Sequence, residues 1–215
     1  MPSNMPSNSA LGRWQCLSVI QHFAWTFTQR DAALHFHQAT ASRRLADWPA
    51  AVLSVDGELR LIGSEGERWV RGEDFFLGLM STALKPAELI AEIRFPSLTG
   101  RFGGAYFKMP QQASGFAIVG IAASLKLDRQ GRCEEIGIGV TGLGAKPFRA
   151  RAVEQRLRGN KLTPKWIEES AAQVAEGIDP LEDLHASATF RAHLACVLTS
   201  RAVKEAAKRA IRGKG

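Results

Sequence analysis

A lysine in an apolar segment is the first residue of this chain that could do chemistry. Lys108 follows Tyr106 and Phe107 in a stretch that is otherwise apolar, and a charged group in such a place needs a reason. Residues two apart on a strand share a face, so Tyr106 and Lys108 would set an aromatic ring beside a cation. Such a pair could stack on a flavin and meet its negative diphosphate or its reduced ring. The alternative is a lysine whose stem lies along a sheet edge with its ammonium in water.

A glycine pattern further along matches the letters of a dinucleotide-binding fingerprint, Gly137-Ile-Gly-Val-Thr-Gly142. That fingerprint needs a strand before it and a helix that begins inside it, with an acidic residue about 20 positions further on. Here the glycines lie within a strand pattern and Pro147 follows, so no helix can begin among them. The pattern favours glycines that permit close packing of a strand or a β-bulge.

Two other sets of polar residues contain the letters of a site without its geometry. Asp183, His185 and Ser187 suggest a hydrolytic triad, but residues two apart on a helix do not face each other. We therefore expect Asp183 or Ser187 to cap a helix. His35 and His37 could offer two imidazoles to a metal, but no further ligand stands at a useful spacing. The sequence therefore predicts neither a catalytic residue nor a metal site.

The elements that position Lys108 begin near residue 47. Two apolar segments, 51–55 and 58–62, flank Asp56-Gly57, a dipeptide suited to a two-residue hairpin turn. Residues 67–71 predict a third strand. Residues 73–79 predict a short helix or loop that packs two phenylalanines.

A boundary falls near Pro96, and three apolar segments follow it at 105–109, 116–128 and 134–142. Their connections are too short for crossover helices, so they predict an antiparallel meander. Helices are predicted afterwards at 149–157, from Thr163-Pro164 onward and over about 187–210. Their apolar faces hold Ile167, Ala171 and Val174 in the second helix, and Phe190, Leu194, Val197 and Leu198 in the third. Strands followed by helices indicate the α+β class.

Composition excludes several classes of protein. The chain has 215 residues, of which 45% are hydrophobic and 23% charged, and no apolar run is long enough to span a membrane. Three cysteines without a CxxC pair argue against a zinc site or an iron–sulfur cluster. They favour free thiols in a reducing, cytoplasmic setting.

The net charge of +7 raises the question of nucleic acid. The clearest basic cluster lies at the C-terminal end of a predicted helix, where cations favour the helix dipole and solvate the chain end. Its members are Arg201, Lys204, Lys208, Arg209, Arg212 and Lys214. No nucleic-acid partner is therefore predicted.

Several ordered blocks carry a resemblance to one family. The first reads Ser81-Thr-Ala-Leu-Lys-Pro-Ala-Glu-Leu-Ile-Ala-Glu-Ile-Arg-Phe-Pro96, and it continues with Gly104-Ala-Tyr-Phe-Lys-Met109 and Ser114-Gly-Phe-Ala-Ile-Val-Gly-Ile-Ala-Ala123. Further blocks are Pro147-Phe-Arg-Ala150, Asp183-Leu-His-Ala-Ser187 and Phe190-Arg-Ala-His-Leu194. Over about residues 47–205 the chain resembles the FAD-binding medium subunit of the molybdenum hydroxylases, such as carbon monoxide dehydrogenase, xanthine dehydrogenase and aldehyde oxidoreductase.

The resemblance implies a fold, a function and partners. It implies a vanillyl-alcohol-oxidase-type FAD domain followed by a C-terminal domain of a three-stranded antiparallel sheet with helices. It also implies an oxidoreductase subunit of a hetero-oligomer, in which FAD takes electrons from an iron–sulfur subunit, itself supplied by a molybdopterin subunit, and passes them to an external acceptor. Matched by motif, Asp47 before Trp48-Pro49, Ile90 and Lys108 resemble the family's flavin contacts.

The sequence departs from the family before residue 47. Two glycine-rich loops of the family, resembling Ala-Gly-Gly-His-Ser and Thr-Ile-Gly-Gly-Ser, have no counterpart here, and Ala-Thr-Ala-Ser-Arg-Arg stands at 39–44. Such loops let backbone N–H groups approach a phosphate. We therefore expect an atypical, altered or truncated segment at 1–46, a partial FAD-binding domain at 47–96 and the C-terminal domain at 97–210. A second hypothesis is a module that docks on partner subunits without binding FAD tightly.

Overall fold

A short helix and a small sheet open the part of the chain that the computed structural model describes, residues 47–79 and 81–213. The central strand of this sheet pairs with two antiparallel neighbours, one on either side. The elements are α1 (Asp47–Ser54), β1 (Glu58–Gly63), β2 (Gly66–Arg71), α2 (Gly72–Phe75), β3 (Phe76–Gly78), β4 (Ser81–Thr82) and β5 (Leu89–Arg94).

The strand predicted at 51–55 is wrong, because these residues belong to helix α1 and the turn after it. Short apolar runs are ambiguous between a buried strand and a buried helix, and Pro49 in the first helical turn is compatible with a helix. Asp56 adopts a left-handed backbone, with φ of 52°, just after the helix. Asp56-Gly57 is therefore not the predicted hairpin turn. The hairpin joins β1 to β2, where Gly63 pairs with Gly66, and the strands predicted at 58–62 and 67–71 are confirmed.

One face of the first sheet and the two phenylalanines of α2 and β3 form a core. Phe75 and Phe76 pack at right angles with their ring centroids 5.1 Å apart, which confirms the predicted packing of the two phenylalanines. The helix predicted there ends at Phe75, and residues 76–78 form a strand instead. Trp48 of α1 packs against both rings. The other members of this core are Val52, Leu53, Val55, Leu59, Leu61, Ile90 and Phe95.

Glu88 lies between β4 and β5 and binds both Arg68 and the backbone of Lys85. Both of its carboxylate oxygens accept hydrogen bonds from Arg68, at 2.9 and 2.8 Å, and one also accepts from the backbone N–H of Lys85 at 2.7 Å. These hydrogen bonds, Arg68 first and Lys85 second, lower the pKa of Glu88 from 4.5 to about 2. The ionised carboxylate is therefore the form that the fold stabilises.

We expect Glu88→Gln to make the protein less stable at neutral pH but not in strong acid. A pKa below its unfolded value means that the contribution is complete above about pH 4.5 and is lost as the pH falls through about 2. The difference in free energy of unfolding between wild type and variant, measured by urea titration at several pH values, should shrink across that window. Glu65→Gln is the control, since the Glu65 side chain is 84% exposed. A gap that stays constant down to pH 2 would contradict the assignment.

A second antiparallel sheet and three helices form the rest of the described chain. The three long strands confirm the predicted meander, and a two-residue fourth strand pairs with the last of them, so the strands follow one another in sequence order across the sheet. The elements are β6 (Arg101–Pro110), β7 (Ala117–Leu127), β8 (Cys133–Thr141), β9 (Phe148–Arg149), α3 (Arg151–Leu157), α4 (Pro164–Ala171) and α5 (Ala188–Arg212). Together with the first sheet, they confirm an α+β architecture.

The helix caps agree with the sequence. Thr163 accepts a hydrogen bond from the N–H of Trp166 and Ser187 accepts one from Phe190, as N-cap residues do. In α5 the predicted Leu194 and Leu198 are buried, whereas Phe190 is 44% exposed. The stripe fails in its first turn because Arg191, which is 1% exposed, takes the buried position there.

Helix α1 packs directly on the second sheet at two glycines. A Cβ on Gly139 would lie 2.8 Å from the carbonyl carbon of Ala50 and closer still to its oxygen, and one on Gly137 would lie 2.9 Å from the carbonyl carbon of Ser54. Both glycines are in β8, so the fingerprint-like pattern serves close packing, as the sequence indicated. The backbone of α1 therefore touches the backbone of β8 with no side chain between them.

A buried ion pair lies beside this contact. Arg149 donates to both carboxylate oxygens of Glu154 at 2.8 Å, and their side chains are 3% and 2% exposed. Arg149 also pairs with Asp56, and Glu154 accepts the backbone N–H of Ile138 at 2.8 Å. Burial acts to lower the pKa of Arg149, but its hydrogen bonds with Glu154 and Asp56 outweigh that effect and raise it. The network joins the turn after α1 to the second sheet and α3.

Candidate functional site

The start of α1 meets strand β6 at Asp47. The Asp47 carboxylate accepts a hydrogen bond from the Tyr106 hydroxyl on Oδ1 at 2.5 Å and from Lys108 Nζ on Oδ2 at 2.7 Å. We call Asp47, Tyr106 and Lys108 the Asp47 cluster. The prediction that Tyr106 and Lys108 share a face is confirmed, because both reach the same carboxylate across 59 and 61 residues of sequence.

Lys108 is neither free in water nor buried. Its side chain is 30% exposed, against 11% for Asp47, and Nζ also donates to the carbonyl oxygen of Gly115 at 3.0 Å. An ammonium has three N–H donors, and the described residues use two of them. The geometry contradicts a lysine that simply extends into solvent, and it leaves a donor for a ligand.

Tyr106 is held in an environment that disfavours its ionised form. Burial of the phenol, and then the negative charge of Asp47 and the hydrogen bond to it, raise its pKa well above the ordinary value of 10.0. The hydroxyl therefore stays protonated and donates to the carboxylate throughout the physiological range. This contact gives Tyr106 a role that sequence reasoning missed, since only its place beside Lys108 was predicted.

Ile90 lies in the first sheet, in β5. Its side chain is 7% exposed and faces the core, and its register partner on β1 is Leu61. Strand β5 is at the edge of the sheet in the order β2-β1-β5 among the described residues. What Ile90 can offer a ligand is therefore mainly its backbone.

Trp48, next to Asp47, holds a polar atom without a partner. Its indole Nε1 is buried and has no hydrogen-bond partner among the described residues, and such a group is rarely left unsatisfied. The same indole ring packs against Phe75 and Phe76 in the first core. The Asp47 cluster thus offers a carboxylate and a cation with one unused N–H donor on Lys108, and this donor set fits the polar edge of a flavin.

The triad suggested by Asp183, His185 and Ser187 does not form. Asp183 accepts the backbone N–H groups of His185 and Ala186 and pairs with Arg191 at 2.7 Å, while Ser187 caps α5. Burial would raise the pKa of Asp183, but the hydrogen bonds from His185 and Arg191 lower it. Ser187 is the helix cap that the sequence predicted. Asp183 is a structural residue that precedes the helix and forms an isolated bridge with Ala186, so residues 183–187 are not helical as was assumed from the sequence.

Other reactive groups add no second centre to the described chain. Residues 47–79 and 81–213 contain no group of three or more histidine, cysteine or acidic side chains placed to hold a metal, and His35 and His37 lie outside them. Burial raises the pKa of Cys133 to about 12 and also raises that of Cys196. Neither thiol is therefore activated as a nucleophile.

The basic cluster at the end of α5 is partly neutralised. Lys204 pairs with Glu168 at 2.5 Å, and Arg209 pairs with Glu205 at 3.1 Å and donates to the carbonyl of Gly104. These contacts tie the helix to α4 and β6. None of the helices in the described part of the chain combines the length and the apolar character needed to cross a bilayer.

Two family models match consecutive parts of the chain, and each contains part of this site. The FAD binding domain in molybdopterin dehydrogenase matches residues 20–98, and the CO dehydrogenase flavoprotein C-terminal domain matches residues 104–206. The first match begins before residue 47 and includes part of the segment expected to be atypical. Asp47 and Ile90 fall in the first match, and Tyr106 and Lys108 fall in the second. The Asp47 cluster therefore joins the two matched regions.

Individual relatives agree with the family models. The chain is 32% identical over 162 residues to the glyceraldehyde dehydrogenase medium chain of Sulfolobus acidocaldarius, a match that covers 75% of this chain and 57% of the relative. It is 32% identical over 165 residues to the carbon monoxide dehydrogenase medium chain of Afipia carboxidovorans, covering 76% and 57%. The chain thus spans a little over half the length of these curated relatives.

Solved structures show the same architecture. Reconstituted CO dehydrogenase from Oligotropha carboxidovorans superposes with a TM-score of 0.80 at 26% identity, over 90% of this chain and 68% of that one. Carbon monoxide dehydrogenase from Hydrogenophaga pseudoflava superposes with a TM-score of 0.75 at 29% identity, over 80% and 59%. With both family models and the medium chains in agreement, the chain belongs to the FAD-binding medium subunits of the molybdenum hydroxylase family.

Proposed function

We propose that this chain is the flavoprotein subunit of a molybdenum hydroxylase, which passes electrons from an iron–sulfur subunit through FAD to an external acceptor. The observation that carries the proposal is the Asp47 cluster, which brings Asp47 and Lys108 together at the junction of the two family matches. The named relatives are medium chains of dehydrogenases. The proposal therefore extends a family assignment to a function for this chain.

Bound FAD would supply the redox chemistry, because its ring accepts and returns electrons. The protein's part is to bind and orient the cofactor. Lys108 has the charge to attract an anionic group, and Asp47 holds the lysine in place through a 2.7 Å ion pair. We propose Asp47, Ile90 and Lys108 as the cofactor contacts, with Ile90 acting through its backbone.

The charges of the cluster balance each other before any ligand arrives. Asp47 neutralises Lys108, and Tyr106 adds a neutral donor to the same carboxylate. A ligand that takes the third N–H of Lys108 therefore meets a cation whose position is already fixed, and less conformational entropy is lost on binding. Preorganisation of this kind is what an electron-transfer cofactor needs if its ring is to stay in one orientation.

In this proposal the substrate reacts on a different subunit. The Asp47 cluster contains no activated nucleophile, and we infer that the hydroxylation takes place on a molybdopterin subunit. The chain would then work in a hetero-oligomer with that subunit and an iron–sulfur subunit, within the cytoplasm. The fold of its first part would be that of a vanillyl-alcohol-oxidase-type FAD domain, with the domains divided near residues 46 and 96.

We expect the purified chain to bind FAD, and Lys108→Met to weaken that binding by about ten- to one hundred-fold. The estimate corresponds to one charge-assisted hydrogen bond of about 1.5–3 kcal/mol. The measurement is the flavin absorbance and fluorescence during titration with FAD. Lys165→Met is the control, because Lys165 is an exposed lysine of α4 with a side chain that is 87% accessible.

The same titration separates the proposal from its alternative. A wild-type chain that takes up no FAD, but still co-purifies with iron–sulfur and molybdopterin subunits when they are co-expressed, would overturn the flavoprotein assignment and support a docking module. Equal affinities for the wild type, Lys108→Met and Lys165→Met would overturn the role of Lys108 alone.

A further inference from the structure

We propose that Tyr106 is a positioning residue of the cofactor site, whose hydroxyl holds the Asp47 carboxylate in one orientation so that Asp47 can hold Lys108. This inference concerns a residue outside the proposed contacts, and its effect on FAD rests on the proposed function. Three observations on the described residues support it.

The first observation is that the two carboxylate oxygens of Asp47 accept hydrogen bonds from different side chains. Tyr106 Oη donates to Oδ1 at 2.5 Å, and Lys108 Nζ donates to Oδ2 at 2.7 Å. Each oxygen has its own donor, so rotation of the carboxylate about its Cβ–Cγ bond would break both hydrogen bonds at once. With the phenol removed, a single ion pair to a flexible lysine would remain, and such a pair fixes the orientation poorly.

The second observation is the space made for the phenol. On strand β7, Gly120 lies beneath it, and a Cβ there would lie 3.2 Å from Tyr106 Cζ, closer still to the hydroxyl, and 2.9 Å from Thr141 Cγ2. Gly120 is also the register partner of Lys108. A glycine at this one point therefore lets the ring cross the sheet surface and reach Asp47.

The third observation is that Tyr106 spans two elements. Asp47 is the first described residue of α1, whereas Tyr106 and Lys108 lie in β6. Phenylalanine would fill the same volume, so the hydroxyl is what tyrosine adds, and it is used on Asp47. The phenol thus acts through the carboxylate, and it differs in this from a ring that only stacks on a ligand.

Tyr106 can be observed alone, because it is the only tyrosine of the chain. Its ionisation is therefore read directly from the tyrosinate ultraviolet absorbance during an alkaline titration of the FAD-free chain. We expect the midpoint to lie above that of the same chain denatured in guanidinium chloride. Asp47→Asn should shift it downwards, because the anion that opposes ionisation is gone, although burial keeps it above the denatured value.

The titration decides whether Tyr106 engages Asp47. Circular dichroism at each pH ensures that the folded chain is being observed. Identical midpoints for the wild type and Asp47→Asn would overturn the inference, whether or not the chain binds FAD.

A second measurement tests the consequence for the cofactor. Tyr106→Phe keeps the ring and removes the hydroxyl, so we expect FAD to bind about ten-fold more weakly at a temperature at which the wild type and the variant are both fully folded. Gly120→Ala, which pushes on the phenol from below, should also weaken binding. If the wild type binds FAD and Tyr106→Phe binds it equally well, Tyr106 is not a positioning residue. If the wild type binds none, the proposed function fails, and the titration still decides the contact between Tyr106 and Asp47.

Discussion

Gly139→Ala is expected to separate α1 from the second sheet and to lower the free energy of unfolding by about 3 kcal/mol or more. Overpacking a core costs about 1–3 kcal/mol when side chains can move aside. Here the new methyl group would overlap the backbone of Ala50, which is 2.8 Å away at its carbonyl carbon. A backbone atom inside a helix can yield only if the whole helix shifts. Urea denaturation followed by circular dichroism measures the loss.

The shift should also be visible at the site, since α1 carries Asp47. We expect Gly139→Ala to weaken FAD binding even under conditions in which the variant is fully folded. Gly78→Ala is the matched control, because Gly78 has no heavy atom within 4 Å of its would-be Cβ and adopts no left-handed backbone. Similar stabilities for the two variants would show that α1 does not depend on close contact with β8.

Arg149→Met is expected to destabilise the protein by about 3–5 kcal/mol. Removing one member of a buried ion pair leaves the other as an uncompensated charge, and Glu154 is 2% exposed with Arg149 as its partner on both oxygens. A loss of this size is a large part of the stability of an ordinary domain. Urea or guanidinium titration at neutral pH provides the measurement.

A double variant shows whether this loss of stability comes from the uncompensated charge or from lost packing. Arg149→Met combined with Glu154→Gln removes both charges but keeps an oxygen to accept the N–H of Ile138, now bonded to Glu154 at 2.8 Å. We expect this double variant to recover much of the loss, because similar replacements of buried ion pairs by neutral groups are often nearly neutral. If the double variant is as unstable as Arg149→Met alone, the loss comes from packing around the guanidinium and the explanation by charge is wrong.

The second sheet could be predicted well from the sequence because its signals are local. Short polar turns separate its long apolar strands, and Thr163 and Ser187 announce helices by their capping chemistry. The part of the described chain that precedes this sheet was harder to predict. Residues 51–55 have the composition of a strand, yet 51–54 lie in a helix that packs on a glycine-lined surface of β8, more than 80 positions away. That surface is a tertiary effect, which local patterns do not contain.

The candidate site, too, could be predicted only in part from the sequence. The shared face of Tyr106 and Lys108 follows from the period of a strand. Asp47, in contrast, was placed near them only by the family resemblance, since nothing in the residues themselves relates position 47 to position 108. The hydroxyl contact of Tyr106 and the buried pairing of Arg149 with Glu154 depend on distances between elements, so no sequence pattern announces them.

The packing of α1 on Gly137 and Gly139 has a consequence for how this chain can be divided. The family models meet between residues 98 and 104 and assign α1 to the first region, yet the helix rests on a strand of the second. Cutting the chain between residues 98 and 104 would remove α1 from the second fragment. The backbone of β8 at Gly137 and Gly139 would then be exposed there. The boundary between the two family matches therefore does not coincide with a boundary in the packing, because α1 belongs to the first match and rests on a strand of the second.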